Sequence, residues 1–481
     1  MRWGRRGGLD GSSRPPTSAV ASRRSSLLMS RRRRKAGVVE RRANDRSQHE
    51  PGRRLMSAFV ISLDALGATD PGVVGPKAAN LAALARAGLP TPGGFCLTAD
   101  AYRHQVAHLE IGDLVASFPA AAQPQQRRLS VEIRLKLYEE PIAPAILEPL
   151  MAAWREQRAA SEQPGAIRSS ALIEDREDAN FAGQFESFLG ITDEAEFLTV
   201  VRACWAALWT SNARRYMDNH DLSPAGTAMA VLIQPTVAAR ASGGGLSETA
   251  EGQMLISATW GLGSAIAQGE VVPDRIVLSR QGFVRKIEAG RKDHRETCGH
   301  GGTAPQKVPA DLVREPCLDA GQAVTLGRLL RKAETLMDMP VEIEWALDEA
   351  GFKLLQARPL HVQPAHVPDA IWLQHPGLNG HPAGIGWGTG RAVVVNCECE
   401  LSRVAPGDVL VTKVAGPALS HILPRVAGVV AELGGSTSHM ASLARERGIP
   451  MVLGVLDATQ HIPDGSQVAV DGVAGIVRWF R

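Results

Sequence analysis

The sequence has no long hydrophobic run, few cysteines and no internal repeat. No apolar stretch approaches the ~18 residues that a membrane helix needs, so we expect no membrane partner. The six cysteines among 481 residues show no spacing typical of a disulfide framework, which predicts a reducing compartment and a cytoplasmic location. With 44% hydrophobic and 21% charged residues, the composition is otherwise that of a folded protein of two or three domains.

Patterns of metal ligands are equally scarce. Cys397 and Cys399 are interpreted as alternating residues of a strand rather than as ligands. His294, Cys298 and His300 carry ligand-type side chains, but they lie in a Gly-rich stretch with no second half that would complete a site. We therefore expect no structural metal at either place.

The basic charge of the chain is concentrated in a leader, residues 1–55. It carries a net charge of +12, whereas the remainder carries −9. Since it lacks apolar periodicity, we expect it to be disordered. Three interpretations stay open: a segment that binds nucleic acid or an acidic surface, an organelle transit peptide, or sequence upstream of a true start at Met56. We favour the last, because a strand-like run follows Met56 directly; no nucleic acid is expected to bind the folded part.

From Phe59 onward, strand-like and helix-like patterns alternate, which predicts an α/β fold, or α+β in a looser classification. Residues 198–216 have the spacing of one amphipathic helix. Residues 341–347 and 352–356 predict a hairpin. The polar, Pro-containing stretch 361–369 is typical of a linker between domains.

One segment, 434–450, predicts a loop that places His439 in the first turn of a helix. Thr437 or Ser438 can cap this helix, and a glycine followed by a proline ends it. The positive end of the helix dipole disfavours an imidazolium there. A neutral imidazole is a nucleophile, and the backbone N–H groups of that turn can hold a phosphoryl group. Taken alone, the pattern is more typical of a surface histidine near a helix cap.

The surrounding sequence favours the chemical interpretation. Gly-Gly-x-Thr-Ser-His, followed by an Ala/Ser-rich helix and Arg-Glu-x-Gly-Ile-Pro, resembles the phosphohistidine domain of the phosphoenolpyruvate synthase / pyruvate phosphate dikinase family. The resemblance covers about 380–481. It implies a swivelling domain in which His439 accepts a phosphoryl group, with Thr437 and Ser438 orienting the ring or its phosphate. Further matches occur in the right order at 383–391, 406–412, 454, 464–465 and 470–477.

The first half of the chain resembles the ATP-grasp domain of the same family. The resemblance places Lys77, beside a glycine loop, and Arg168, in an Arg-Ser-Ser stretch, on the phosphates of ATP. A lysine acts there as a point charge and an arginine as a planar fork. Each of these residues on its own would be read as an ordinary surface cation. Further matches lie at 88–98, 174–186, 260–263 and 269–274.

Two acidic residues, Glu342 and Glu344, lie two apart on the first strand of the predicted hairpin, so both side chains should face one side. Two carboxylates repel unless a cation lies between them, which suits Mg²⁺ bridging nucleotide phosphates. The family resemblance continues into Gln-Ala-Arg-Pro and implies that Gln356 and Arg358 line the ATP pocket. The resemblance therefore covers about 59–363.

The chain also departs from the family pattern. Pro76 stands where a second glycine is usual, and Glu342 where an aspartate is usual. Ser257 and Ser264 replace acidic residues. The segment 242–247 carries three consecutive glycines, and we expect it to form a flexible lid over the phosphates, which puts ATP turnover in question more than ATP binding.

These observations predict an ATP-grasp domain over 58–363, a linker over 364–379 and a smaller swivelling phosphohistidine β/α domain over 380–481. The resemblance implies an ATP-dependent, dikinase-like phosphotransferase that uses Mg²⁺. ATP would phosphorylate His439, with AMP and phosphate released and the β-phosphoryl group retained.

The final acceptor is expected to be a small molecule, by default pyruvate. Full-length family enzymes carry a TIM barrel of ~250 residues for it, and the related rifamycin-type antibiotic phosphotransferases carry an acceptor domain between the two halves. Neither is recognised here, so we expect the acceptor site on a separate subunit. The alternatives are a phosphotransferase acting on a small molecule such as an antibiotic, and a non-catalytic nucleotide-binding regulatory protein.

Overall fold

A computed structural model describes residues 59–174, 181, 183–185, 187–299, 302–362, 375 and 377–480. The basic leader lies outside these residues. So do most of the predicted linker, parts of the 174–186 motif and His300.

The predicted α/β fold is confirmed: the described residues form mixed sheets flanked by helices. The first sheet is antiparallel and has the order β1-β2-β5-β3-β4. Its strands are β1 (Val60–Ser62), β2 (Phe95–Leu97), β3 (Gly165–Ala171), β4 (Ser187–Ile191) and β5 (Met229–Pro235).

The second sheet is also antiparallel and has the order β13-β12-β6-β7-β8-β9. A separate hairpin, β10 with β11, follows β9 along the chain. The strands are β6 (Ala241–Leu246), β7 (Gln253–Trp260), β8 (Asp274–Ser279), β9 (Val284–Glu288), β10 (His294–Gly299), β11 (Gly302–Lys307), β12 (Val341–Asp348) and β13 (Gly351–Pro359). The predicted hairpin over 341–356 is thus confirmed as β12 and β13.

The third sheet holds the C-terminal segment and has the order β14-β21-β20-β16-β17-β18-β19-β15. Strands β16 to β19 are parallel neighbours, as in α/β domains, and the outer pairings are antiparallel. The last three residues of the predicted linker already belong to this sheet as β14. The strands are β14 (Gly377–Asn379), β15 (His381–Pro382), β16 (Trp387–Val395), β17 (Val409–Thr412), β18 (Gly428–Ala431), β19 (Met451–Leu453), β20 (Gln467–Asp471) and β21 (Ile476–Phe480).

The helices cover the sheets and are capped by local side chains. Asp70 accepts a hydrogen bond from Gly72 N at the start of the first helix, and Asp319 forms a capping box with Gln322 at the start of the ninth. The helices are α1 (Pro71–Arg86), α2 (Ala99–His108), α3 (Gly112–Ser117), α4 (Gln123–Glu139), α5 (Pro144–Ala160), α6 (Glu194–Ala207), α7 (Ser211–Asp218), α8 (Ser264–Ala267), α9 (Ala320–Met337), α10 (His439–Glu446) and α11 (Ala458–His461).

The single helix predicted over 198–216 is wrong, because two helices, α6 and α7, occupy this stretch. The side chain of Thr210 accepts a hydrogen bond from the backbone N–H of Ala213 and so caps a new helix in the middle of the apolar pattern. The periodicity continues across the break and does not reveal it.

The flexible lid predicted over 242–247 is also wrong. These residues overlap β6, which lies between β12 and β7 in the second sheet and is buried along its whole length. Glycines fit there because a side chain on Gly243 would collide with the backbone of Ser257 and the ring of Trp345. The indole N–H of Trp345 donates to the carbonyl oxygen of Gly244 at 3.1 Å, and the tryptophan ring lies against Gly243.

Cys397 and Cys399 also differ from their interpretation as alternating strand residues. They follow the end of β16, and the structure joins them in a disulfide. The other cysteines, at 96, 204, 298 and 317, are thiols and not part of a disulfide. Within the described residues, no helix combines the length and the apolarity that a membrane span requires.

Candidate active site

His439 is the first residue of α10, as the sequence predicts. Of the two capping candidates, Ser438 is the cap, since its hydroxyl oxygen accepts a hydrogen bond from the backbone N–H of Ala441 at 3.2 Å. Gly434 has φ +98°, a conformation that favours glycine, where the loop turns toward the helix. The helix ends at Glu446, and Gly448 follows two residues later with φ +69°.

Thr437 packs directly on the second sheet instead of capping the helix. A side-chain carbon placed on Gly244 would lie 2.5 Å from the Cβ atom of Thr437, so only a glycine leaves room for it. The hydroxyls of Thr437 and of its neighbour Ser436 are buried, and within the described residues neither has a hydrogen-bond partner. Two orphaned hydroxyls beside a histidine are donors suited to an anion.

The imidazole of His439 is half-buried. It lies among residues of the nucleotide half, by which we mean the part of the chain over 58–363 that resembles an ATP-grasp domain. Gly183, from the loop between β3 and β4, lies against the ring. Burial lowers the pKa of His439; the negative charge of Glu344 opposes this, while the positive charges of Arg358 and Lys77 reinforce it. The net direction is downward, so the ring is held in its neutral form.

The two predicted metal ligands share one face of β12. Val341, Ile343 and Trp345 point into the hydrophobic core, so Glu342 and Glu344 point away from it, toward α10. This part of the prediction is confirmed by the strand geometry.

The two carboxylates have different partners. Glu342 is buried and accepts hydrogen bonds from Arg358 Nε at 3.3 Å, from Ser442 Oγ at 3.1 Å and from Arg445 Nη2 at 3.0 Å. Glu344 pairs with Arg168 Nη1 at 3.0 Å and keeps 37% of its side chain exposed. Burial alone would raise the pKa of each carboxyl group, but the neighbouring arginines hold both pKa values below the usual range.

No group of three or more His, Cys, Asp or Glu side chains converges on a metal position within the residues that the structure describes. Glu342 is neutralised by two guanidinium groups, which leaves it unsuited to a cation as it stands. Glu344 has one arginine partner and an exposed face, so it is the carboxylate that fits a magnesium ion carried by a nucleotide.

The predicted phosphate ligands, Lys77 and Arg168, lie close to Glu344 and His439. Lys77 follows a kink at Gly75 in α1, and its Nζ atom lies 2.9 Å from Glu174 Oε2 and 3.3 Å from the carbonyl oxygen of Ser169. Arg168 is the neighbour of Ser169 on β3. Within the described residues, Arg168 Nε and Ser169 Oγ have no hydrogen-bond partner although both are buried. Unsatisfied donors beside a lysine fit phosphate oxygens.

Gln356 and Arg358 lie on β13, directly opposite Glu344 and Glu342 respectively. Both side chains are mostly buried. The structure therefore brings the predicted residues of the nucleotide half close to one face of the second sheet, where Thr437 and His439 also lie.

The sequence reasoning missed the residues through which α10 contacts the nucleotide half. Ser442 and Arg445 lie three apart on one face of α10, and both bind Glu342. Arg445 also donates to the carbonyl oxygens of Ser436 at 2.5 Å and Ala383 at 3.4 Å. The only signal was a serine and an arginine on the same helix face, and nothing in the sequence showed what this face meets.

The nucleotide-binding part and the histidine part correspond to two known domains. Residues 72–373 match the family described as pyruvate phosphate dikinase, AMP/ATP-binding domain. Residues 404–475 match the mobile domain of PEP-utilising enzymes. The chain therefore belongs to the pyruvate phosphate dikinase family, which confirms the resemblance found in the sequence.

Curated relatives agree with this assignment. The chain is 32% identical to phosphoenolpyruvate synthase of Aeropyrum pernix over 476 residues, covering 87% of this chain and 58% of the relative. It is 30% identical to the phosphoenolpyruvate synthases of Pyrococcus furiosus and Escherichia coli, covering 87% of this chain and 58% and 57% of those proteins. The chain thus spans less than two thirds of the length of these relatives.

Proposed function

We propose that this chain is an ATP-dependent phosphotransferase that phosphorylates its own His439. One observation carries the proposal. The imidazole lies against Gly183. Its pKa responds to the charges of Glu344 on β12, Arg358 on β13 and Lys77 on α1, all in the nucleotide half. A purely structural role would not require His439 to lie close to side chains that are suited to binding phosphates.

The environment of the ring suits nucleophilic attack. Its lowered pKa keeps a lone pair available at neutral pH, and its position in the first turn of α10 offers backbone N–H groups to the phosphoryl group that arrives. The orphaned hydroxyls of Ser436 and Thr437 supply two further donors. Together they would hold the phosphorylated ring.

We assign the nucleotide contacts by charge and exposure. Lys77, Arg168 and Arg358 would bind phosphate oxygens, and Gln356 would line the pocket next to Glu344. A magnesium ion held by Glu344 would neutralise phosphate charge, while Glu342 takes a second role as the partner of α10. The unpartnered Arg168 Nε and Ser169 Oγ support binding of an anion at this place.

The products follow from the bonds that must change. For the β-phosphoryl group to stay on His439, a nitrogen–phosphorus bond forms at Pβ and the bond from Pβ to the oxygen bridging it to Pα breaks, which releases AMP. The bridge between Pβ and Pγ must also break. Water supplies the oxygen that leaves with the γ-phosphorus as inorganic phosphate.

Labelling tests the proposal directly. Incubation with ATP labelled in the β-phosphate should give acid-labile label on the chain, together with AMP. The variant His439→Ala should carry none, whereas His461→Ala, an exposed histidine of the same domain, should label like the parent. Equal labelling of His439→Ala, or ATP binding without AMP formation, would overturn the proposal.

The name of the relatives supports pyruvate as the final acceptor, bound at a site that we propose lies on a separate subunit. Loss of label from the phosphorylated chain on addition of pyruvate alone would contradict the separate subunit. The hypothesis of a non-catalytic regulator was based partly on the altered segment 242–247. This segment overlaps a buried strand and is not a degraded lid, so it gives that hypothesis less support.

A further inference from the structure

Tyr216 lies where α10 meets the nucleotide half. We call α10 the histidine helix because it begins at His439. It belongs to α7 and is almost fully buried. Its hydroxyl donates to Glu446 Oε1 at 2.6 Å and accepts from the backbone N–H of Phe181 at 3.3 Å. Glu446 is the last residue of α10, whose first residue is His439. A single hydroxyl therefore joins the far end of the histidine helix to the loop between β3 and β4.

Gly183, one of the described residues of that loop, lies against the reactive ring. Phe181 has φ +54°, an uncommon conformation for a residue with a side chain, and its ring lies 4.5 Å from the ring of Tyr216, centroid to centroid. Two residues later, Gly183 approaches so closely that an added side-chain carbon would lie 3.2 Å from the Cβ atom of His439. Gly183 thus lies two residues along the chain from the backbone N–H that donates to Tyr216.

Other groups around the hydroxyl reinforce the same junction. His220 Nε2 lies 3.5 Å from Glu446 Oε1, and the guanidinium of Arg447 lies 5.7 Å from the centroid of the Tyr216 ring. Burial and the carboxylate of Glu446 raise the pKa of Tyr216, so its hydroxyl keeps its proton and remains a donor.

We propose that Tyr216 is a positioning residue for phosphoryl transfer to His439, because its hydroxyl couples the docking of α10 to the placement of the loop at Gly183. This inference rests on the proposed function. Within the described residues, the hydrogen bonds of the Tyr216 hydroxyl go to Glu446 and Phe181 rather than to the imidazole or to the residues assigned to ATP, so its effect is on geometry. Small displacements of reacting groups are known to cost up to about 100-fold in rate.

The test compares Tyr216→Phe, Glu446→Leu, which removes the acceptor oxygen, and the double variant with the parent. Tyr102→Phe is the matched control, since Tyr102 is a second buried tyrosine whose hydroxyl accepts a hydrogen bond, from Trp209 Nε1 at 2.9 Å, in the same half of the chain. Three quantities are measured: the rate constant of His439 phosphorylation at saturating ATP, the Kd of ATP, and hydrogen exchange in α10.

Tyr216→Phe should slow phosphorylation by about tenfold and change the Kd of ATP by less than about twofold. The double variant should be little slower than either single variant, because all of them break the same contact. Exchange should rise in α10 but not in α4. Tyr102→Phe should match the parent in all three measurements.

A phosphorylation rate of Tyr216→Phe within about twofold of the parent, or unchanged exchange in α10, would overturn the inference. An equal loss of ATP binding would do so too, because it would mark a general structural role. If the parent chain does not label His439 at all, the proposed function fails, while the exchange of α10 still decides whether Tyr216 fixes the docked helix.

Discussion

Arg445 and Glu342 form an ion pair of 3.0 Å that joins the histidine helix to the strand carrying the two acidic residues. The carboxylate also binds Arg358, which is its neighbour across the hairpin. One buried glutamate therefore ties together Arg358, which we propose to bind the nucleotide, and a residue of α10. The docked position of the histidine depends on a group that the sequence pattern had assigned to a metal.

The variant Glu342→Gln should be strongly destabilised. It leaves the buried guanidinium groups of Arg358 and Arg445 without their carboxylate, and breaking a buried ion pair in this way costs about 3–5 kcal/mol. Glu344→Gln is the control, because Glu344 is over a third exposed, with 37% of its side chain accessible, and its ion pair is screened by solvent. Unfolding in urea should show the difference; equal stability of the two variants would contradict the docking role of Glu342.

A second prediction concerns the glycines of β6. Gly244→Ala places a methyl group where Thr437 packs, so we expect His439 phosphorylation to slow by about tenfold or more while ATP binding persists. Gly245→Ala is the matched control. Its methyl group points to the opposite face of the strand, toward Ile343 and Leu330 at 3.2 Å and 3.4 Å. The ratio of phosphorylation rate to ATP affinity is the measurement.

The opposite outcome would be informative. If Gly245→Ala slows phosphorylation as much as Gly244→Ala does, the effect comes from distortion of the strand, and the close approach of Thr437 is not what matters.

Much of the site was predictable because its residues occur in local patterns. The helix that starts at His439 follows from a cap, two glycines and a terminating proline. The shared face of Glu342 and Glu344 follows from strand alternation. These signals arise from contacts within about ten residues of one another along the chain, which is the range that a pattern can record.

The remainder depended on contacts between distant segments. Arg445 and Glu342 are 103 residues apart, and no local rule shows that they meet. Gly244 appeared to belong to a flexible lid because a glycine triplet lacks any apolar signal, yet Thr437 packs into the space beside it. Thr210 interrupts a continuous helical pattern because one hydroxyl caps a new helix, an effect that periodicity does not register.

The lowered pKa of His439 sets a third prediction, for the chain without nucleotide. An unperturbed histidine has a pKa of about 6.5; a lower value means that the neutral ring persists below this pH. We therefore expect NMR titration of the His439 ring to give a midpoint below that value. The spectrum of His439→Asn assigns the resonance. A midpoint at or above the unperturbed value would contradict the neutral nucleophile.

The pH dependence of stability should carry a separate signature of His381. This residue of β15 lies beside Gly435, in the loop 434–438 that precedes His439 and that we call the histidine loop. The Nδ1 atom of His381 is buried and has no hydrogen-bond partner in the described part of the chain. Burial, reinforced by the positive charge of Arg275, lowers the pKa of His381 to about 4. In the unfolded chain the same ring has a pKa of about 6.5.

Between these two values the unfolded chain binds a proton that the folded protein does not bind. The stabilising effect of the neutral ring is therefore complete above about pH 6.5 and is lost as the pH falls toward about 4. The variant His381→Asn cannot titrate, so its melting temperature should fall less than that of the parent between these limits. His461→Asn, at an exposed position of α11, controls for removal of a histidine and should follow the parent. If His381→Asn loses stability as steeply as the parent does, His381 is not held neutral at this contact between β15 and the histidine loop.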